Sequence, residues 1–291
     1  MKVPAIAAIA LVSTLSSTAL AQAPDERDHA KARLIAETKT LIPGKTTWLA
    51  LDFEIDDQWH LYWNGVNDSG FAPKLNPAFP EGLKPGEMLW PAPKRHILPG
   101  DILDHIYEKH VTLLFPLKVP ADAKPGEVTL KASPEWLVCN DVCLPGEASL
   151  SLKLTVGTAG DQPQPSSEVS LFQKARERIP VPLLKDKSPL TVAATGDKVS
   201  IQALDAAQVA FYPGLEGVTL PNLIKEGERK GDKLVLSFKR AQGESARLRG
   251  VIEVKPRDSG PPKLWTVDVD LEGVNKPGPE PSNPESHPRG D

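Results

Sequence analysis

The feature that most narrows the fold is a period-two hydrophobic alternation cut short again and again by Pro-Gly. Leu49, Leu51, Phe53 and Ile55 alternate with Ala50, Asp52 and Glu54, the spacing that sends successive side chains to opposite faces of a half-buried strand. Val111, Leu113, Phe115, Leu117 and Val119 repeat it, as do Ala148, Leu150, Leu152 and Leu154 against Ser149, Ser151 and Lys153. Pro43-Gly44, Pro85-Gly86, Pro99-Gly100, Pro125-Gly126 and Pro145-Gly146 separate these runs as turns. The 30 prolines and 21 glycines in 291 residues point to many short strands joined by turns and little helix. The chain reads as all-β: an immunoglobulin-like β-sandwich followed by a second, smaller β-rich domain.

The amino terminus, MKVPAIAAIALVSTLSSTALAQA, has one cation, a short apolar run and Ala19-Leu20-Ala21, the pattern of a cleaved secretory signal peptide over residues 1–21. No later window is apolar for long enough to span a bilayer, so the expectation is an exported, periplasmic protein without membrane insertion. A formal net charge of −4 supplies no electrostatic footprint for nucleic acid. The sandwich is expected over residues 31–157. TAGDQPQPSSE, residues 158–168, has the composition of a linker. The second domain, over 169–275, opens with a helix capped at Ser166 or Ser167, burying Val169, Phe172, Ala175 and Ile179 and closed by Pro180. Residues 276–291, KPGPEPSNPESHPRGD, have nothing apolar to bury and read as a disordered tail.

Cys139 and Cys143 are the only cysteines. In an extended strand their Cα atoms would stand about 13 Å apart, against the roughly 4.4–6.8 Å that a disulfide needs, so a bridge requires a turn at Asn140-Asp141. Spacing leaves a structural staple and a redox pair both open. A ring of about five residues stabilises by only about 2 kcal/mol in the chain-entropy model, a poor placement for a staple. A metal clip is short of ligands, since His60, His96, His105 and His110 are the only imidazoles in the same domain with any prospect of joining the thiolates; no metal and no cofactor is expected. Glu135, Asp141 and Glu147 flank the pair without a neighbouring Lys, Arg or His, so nothing local in sequence lowers a thiol pKa. That suits a disulfide opened by a partner's thiolate better than a resting nucleophile.

Trp59-His60-Leu61-Tyr62-Trp63-Asn64, Asn67-Asp68-Ser69-Gly70, Trp90-Pro91-Ala92-Pro93 and the run from Trp136 to Glu147 together resemble the amino-terminal periplasmic domain of DsbD-type thiol:disulfide interchange proteins, in the ScsB-like branch. The resemblance covers about Lys31 to Val156 and extends more weakly into the second domain, at Gln208 to Pro213. It implies that Cys139 and Cys143 are the redox pair, that a loop covers them until a partner arrives, and that electrons pass from a thioredoxin-like donor to periplasmic disulfide oxidoreductases. It places the lid at Arg95 to Asp101, with Ile97 or Leu98 as its apolar cover. Tyr62, Trp63, Tyr107 and Trp136 become candidates for partner contact or for sandwich core, with Asp141 at the turn. Relatives continue into a membrane conduit and a thioredoxin-like domain that this sequence lacks, so a separately encoded membrane redox protein is an expected partner. The rival readings are a binding module with a fixed disulfide and a Cu(I)-handling protein. No G-x-S-x-G, H-E-x-x-H or phosphate loop supports a hydrolase.

Overall fold

The computed structural model describes residues 28–184, 189–239 and 246–271. The signal peptide expected at 1–21 and the tail expected at 276–291 lie outside the described residues. Among the described residues, no helix is long and apolar enough to cross a membrane.

The first lobe begins with β1 (Ala30–Ala36), β2 (Thr40–Leu41), β3 (Thr46–Ile55), β4 (His60–Tyr62), β5 (Pro77–Ala78) and β6 (Lys84–Pro85). It continues through β7 (Lys94–Leu98), β8 (Ile102–Glu108), β9 (His110–Lys118), β10 (Gly126–Ala132), β11 (Glu135–Cys139), β12 (Cys143–Glu147) and β13 (Leu150–Val156). After α1 (Val169–Arg178) the second lobe holds β14 (Val181–Pro182), β15 (Leu190–Thr195), β16 (Lys198–Ala203), β17 (Ala206–Pro213), α2 (Leu223–Glu226), β18 (Glu228–Lys230), β19 (Lys233–Ser237), β20 (Arg247–Pro256) and β21 (Lys263–Asp270).

Sheet β1-β3-β9-β6 is the central layer of the first lobe. One of its faces meets two sheets side by side. Against β2-β13-β10-β5 it buries Leu49, Phe115, Leu117, Leu130 and Leu154. Against β12-β11-β4-β8-β7 it buries Leu51, Phe53, Leu113, Leu61, Trp136 and Val138. The alternation of β3 and β9 thus produces the immunoglobulin-like sandwich that their spacing foretells.

The other face of that layer departs from the sequence expectation. Ala50 and Asp52, taken from the pattern as the outward set, are both 0 % exposed. Helix α1 lies over them and buries Phe172 and Ala175 against Ile35, Ala50 and Leu114. Asp52 tolerates burial because it accepts hydrogen bonds from Thr112 Oγ1 (2.7 Å), Arg33 Nη2 (2.6 Å) and His110 Nε2 (2.9 Å). Burial works against its ionisation, but these three donors outweigh it and hold the carboxyl below the usual range. The helix cap also differs from expectation: Glu168 is the N-cap, with no side-chain cap bond, while Ser166 Oγ donates to Ala36 O and accepts from Glu168 N–H. The stretch 158–168, linker-like in composition, is pinned to the sheet by Lys39 N–H to Gln164 O (2.8 Å) and Ser166 N–H to Glu37 O (2.9 Å).

The second lobe stacks β14-β21-β20-β17-β18 on β15-β16-β19 around Val199, Ile201, Phe211, Leu236, Ile252 and Val267. Its larger sheet uses both faces. Val209 and Phe211 point into that core, whereas Ala210, Tyr212, Val251 and Leu264 pack into the first lobe beside Trp63 and Tyr107. Arg95 Nη2 donates to Leu223 O (2.7 Å) and Ile224 O (3.0 Å) across the same seam. Glu253, nearly buried, accepts from Tyr212 Oη (3.0 Å) and Arg178 Nη2 (3.2 Å).

Candidate functional site: an edge hairpin closed by a disulfide

Strands β11 and β12 form a hairpin at one edge of the sheet β12-β11-β4-β8-β7, and Cys139 and Cys143 are its last pair. The bend at 140–142 brings their Cα atoms to 4.2 Å with an S–S bond of 2.01 Å. Turn-forming Asn140 and Asp141 leave the strand here, and Asn140 N–H donates to Val142 O (3.0 Å). Lower in the hairpin, Trp136 lies over Gly146, where a Cβ would come within 2.2 Å of the indole nitrogen; only glycine leaves room for the indole to lie across the pair.

The two sulfurs have different surroundings. Cys139 is 2 % exposed, whereas Cys143 is exposed at the hairpin tip. Cys139 faces Tyr62, Ile106 and Leu137, and its cross-strand neighbour on β4 is His60. His60 is buried with Nε2 unpartnered, its ring edge-on to Tyr62 and 5.0 Å from that of His96. Burial first, and the nearby His96 second, push its pKa below the usual imidazole value. The group beside the buried sulfur is therefore a neutral imidazole at neutral pH.

Tyr62 reaches the exposed sulfur. Its Oη lies 3.7 Å from Cys143 Sγ and 3.1 Å from Ser69 Oγ. Ser69 Oγ–H donates to Asp104 Oδ2 (2.5 Å), and Asp104, fully buried, also accepts the backbone N–H groups of Asp68 and Ser69. With the serine proton committed to the carboxylate, the tyrosine O–H is the donor to Ser69. Burial raises the phenol pKa, so Tyr62 stays protonated beside the sulfur. Gly70 lets loop 68–71 lie on the Tyr62 ring, since a Cβ there would fall 2.2 Å from it.

The structure sorts the remaining sequence candidates by face. Trp63, Tyr107 and Trp136 belong to the core on the opposite side of the sheet from Cys139. Tyr107 donates to Pro91 O (2.6 Å), and Trp136 packs edge-on against Phe53. Asp141 is exposed at the hairpin tip. Arg95 to Asp101 is not a loop draped over the cysteines but the β7–β8 hairpin, three strands away from β11. Leu98 pairs with Ile102 and shares the face of Cys139, while Ile97 pairs with Leu103 and takes the other face, 51 % exposed. The segment that does cover the Tyr62 ring beside Cys143 is 68–71. Nothing in the sequence singles out Ser69 or Asp104 as part of this site, and His60 enters there only as a possible metal ligand; Asn67-Asp68-Ser69-Gly70 is visible as a motif, but its link to Asp104 spans 35 residues. The histidines considered as metal ligands are divided between His60 and His96 on this face, His105 in the seam between lobes and His110 on Asp52.

An immunoglobulin-like sandwich with a short-ring disulfide on an edge hairpin is the class that fold and site define. Residues 31–155 match the family described as thiol:disulfide interchange protein DsbD, N-terminal, and this stretch is a domain of that family. Among solved structures, the N-terminal periplasmic domain of ScsB from Proteus mirabilis has a similar fold at 18 % identity, with a TM-score of 0.57 over 85 % of this chain and 96 % of that one. A protein of unknown function from Porphyromonas gingivalis W83 aligns at 13 % identity over 84 % of this chain and 100 % of that one, but with a TM-score of 0.27. No curated protein matches.

Proposed function

We propose that the protein is a periplasmic thiol:disulfide interchange protein in which Cys139 and Cys143 cycle between disulfide and dithiol. The observation that carries this reading is the asymmetry of the pair: one sulfur exposed at a hairpin tip, its partner buried behind it. A donor thiolate attacks Cys143 Sγ, the S–S bond breaks, and Cys139 leaves as a thiolate that takes up a proton. The donor's second thiol then attacks its own sulfur in the mixed disulfide, releasing Cys143 and leaving the donor oxidised. In the outward step the Cys143 thiolate attacks a target disulfide and frees one target thiolate, which takes the Cys139 proton; the Cys139 thiolate then closes back on Cys143 and releases the second target sulfur, so the target leaves as a dithiol. Whenever Cys143 is freed as a thiolate, the Tyr62 O–H turns from Ser69 Oγ toward it.

The donor in this reading is a thioredoxin-like protein or the periplasmic face of a membrane redox protein, and the targets are periplasmic disulfide oxidoreductases. The redox unit is residues 31–157, with 158–168 as the connection and 169–275 as the second domain. The test is trapping. A Cys139→Ala protein mixed with a thioredoxin-like protein that lacks its resolving cysteine and carries thionitrobenzoate on the remaining one should release thionitrobenzoate and accumulate a mixed disulfide through Cys143, visible on a non-reducing gel. Absence of that species, with Cys143 still alkylated by iodoacetamide, would leave the pair as a fixed staple in a binding module.

A further inference from the structure

The disulfide sits at the end of a strand whose outer edge pairs with no other strand among the described residues. In the order β12-β11-β4-β8-β7, β12 is terminal. The Cα separation of 4.2 Å at Cys139–Cys143 is that of a non-hydrogen-bonded antiparallel pair, about 4.5 Å rather than 5.5 Å. Pairs alternate, so Val138–Leu144 and Trp136–Gly146 exchange hydrogen bonds, whereas Leu137–Pro145 and Glu135–Glu147 do not. Two independent facts agree. Pro145, which has no N–H, falls at a position where none is needed for the ladder, and Glu135 turns its N–H and C=O away from β12 to pair with Lys74. The N–H groups of Cys143 and Glu147 and the C=O groups of Cys143, Pro145 and Glu147 therefore face outward.

Beside this edge runs a groove of about 650 Å³ lined by Asp28, Phe71, Glu135, Trp136, Pro145 and Glu147. Among the described residues its lining carries three carboxylates and no cation. Phe71 is 51 % exposed in it, and Val142 is 60 % exposed at the hairpin tip. Asp141 adds a further exposed carboxylate next to Val142.

We propose that the outer edge of β12 receives an extended segment of a thiol-bearing partner protein, which adds a strand beside Cys143 with cationic side chains toward Glu135 and Glu147. Backbone pairing supplies the register that brings the partner's sulfur level with Cys143 Sγ, and the acidic groove selects the sign of the flanking charges. Pro145 leaves one outward donor missing, which keeps the edge from pairing indiscriminately. This inference rests on the redox reading of the same pair.

The test uses the full chain in its disulfide form and three synthetic peptides: acetyl-Lys-Val-Cys-Val-Lys-amide, its Glu-flanked counterpart, and the Lys peptide with the cysteine and both valine nitrogens methylated, which removes the donors of either strand direction. Mixed-disulfide formation is followed by mass spectrometry, each rate being divided by that of the same peptide with hydroxyethyl disulfide to remove intrinsic thiol reactivity. The Lys peptide should react on the order of tenfold faster than the Glu peptide at low salt, with the gap closing in high salt and in a Glu135→Gln/Glu147→Gln variant. Methylation should slow the Lys peptide several-fold. Equal normalised rates, or an unaffected methylated peptide, would overturn the docking edge while leaving the redox reading intact, provided dithiothreitol opens the bond. A bond that dithiothreitol cannot open would overturn both.

Discussion

Replacing Tyr62 with Phe removes one oxygen and nothing else from a side chain that is 1 % exposed, so the packing against Ile106 and Cys139 is kept. What is lost is the O–H 3.7 Å from Cys143 Sγ. Hydrogen bonds to charged groups contribute about 1.5–3 kcal/mol, and the long distance to sulfur argues for the lower end. At 1.36 kcal/mol per pKa unit, the Cys143 thiol should titrate about one unit higher in the variant. Below that pKa the thiolate fraction falls about tenfold. The thiolate that remains is about threefold more nucleophilic, from a Brønsted slope of 0.4–0.5, so the net rate near neutrality should drop about three- to fourfold. The assay is the pH profile of iodoacetamide alkylation in a Cys139→Ala background, where Cys143 is the only thiol. Ser69→Ala is the counter-test, because removing the competing acceptor 3.1 Å from the phenol frees its proton for the thiolate and should move the midpoint the other way. Coinciding midpoints in all three proteins would refute the reasoning.

Reducing the disulfide should lower unfolding free energy by only about 2 kcal/mol, the chain-entropy value for a five-residue ring, so urea denaturation with and without dithiothreitol should give two folded proteins with modestly different midpoints; unfolding on reduction would contradict this. Phe172→Ala should cost about 3–5 kcal/mol, because Phe172 is fully buried between α1 and the central sheet; a shift well under that in thermal or urea unfolding would mean that the helix is not docked there. His105, 0 % exposed, donates from Nδ1 to Val66 O and leaves Nε2 without a partner, and burial pushes its pKa down to about 4. Its folded value lies below its unfolded value of 6.5, so its contribution is complete above pH 6.5 and is lost as pH falls toward 4, by up to about 3 kcal/mol. Urea titrations of wild type and His105→Gln across that window should diverge by that amount, and parallel curves would show that His105 is not the titrating group.

The alternations at 49–55 and 111–119 made the sandwich legible, because a strand buried on one face writes its period directly into the sequence. They misjudged the second face. Ala50 looked solvent-directed only because nothing in residues 46–55 announces that a helix more than a hundred residues later will cover it. Asp52 misled for a related reason, since its three donors come from β1 and β9. The cysteines were legible as a pair needing a bend, and Asn140-Asp141 as the place for it. Tyr62 was legible as an aromatic near the pair, but its separation from Trp63, Tyr107 and Trp136 depends on strand register across β4, β8 and β11, which pairs residues up to 79 positions apart. Ile97 and Leu98 were assigned to a lid by resemblance, and register again decides where they stand, in a hairpin at the far side of the sheet.

Residues 158–168 have the make-up of a swinging arm, yet they are fastened along residues 37–39, and the helix they lead into ends with Arg178 gripping Glu253. Where the composition advertises a hinge, the molecule has a splint. In the proposed role the sulfur is not presented by pivoting one half against the other, and each visitor must travel to a stationary hairpin.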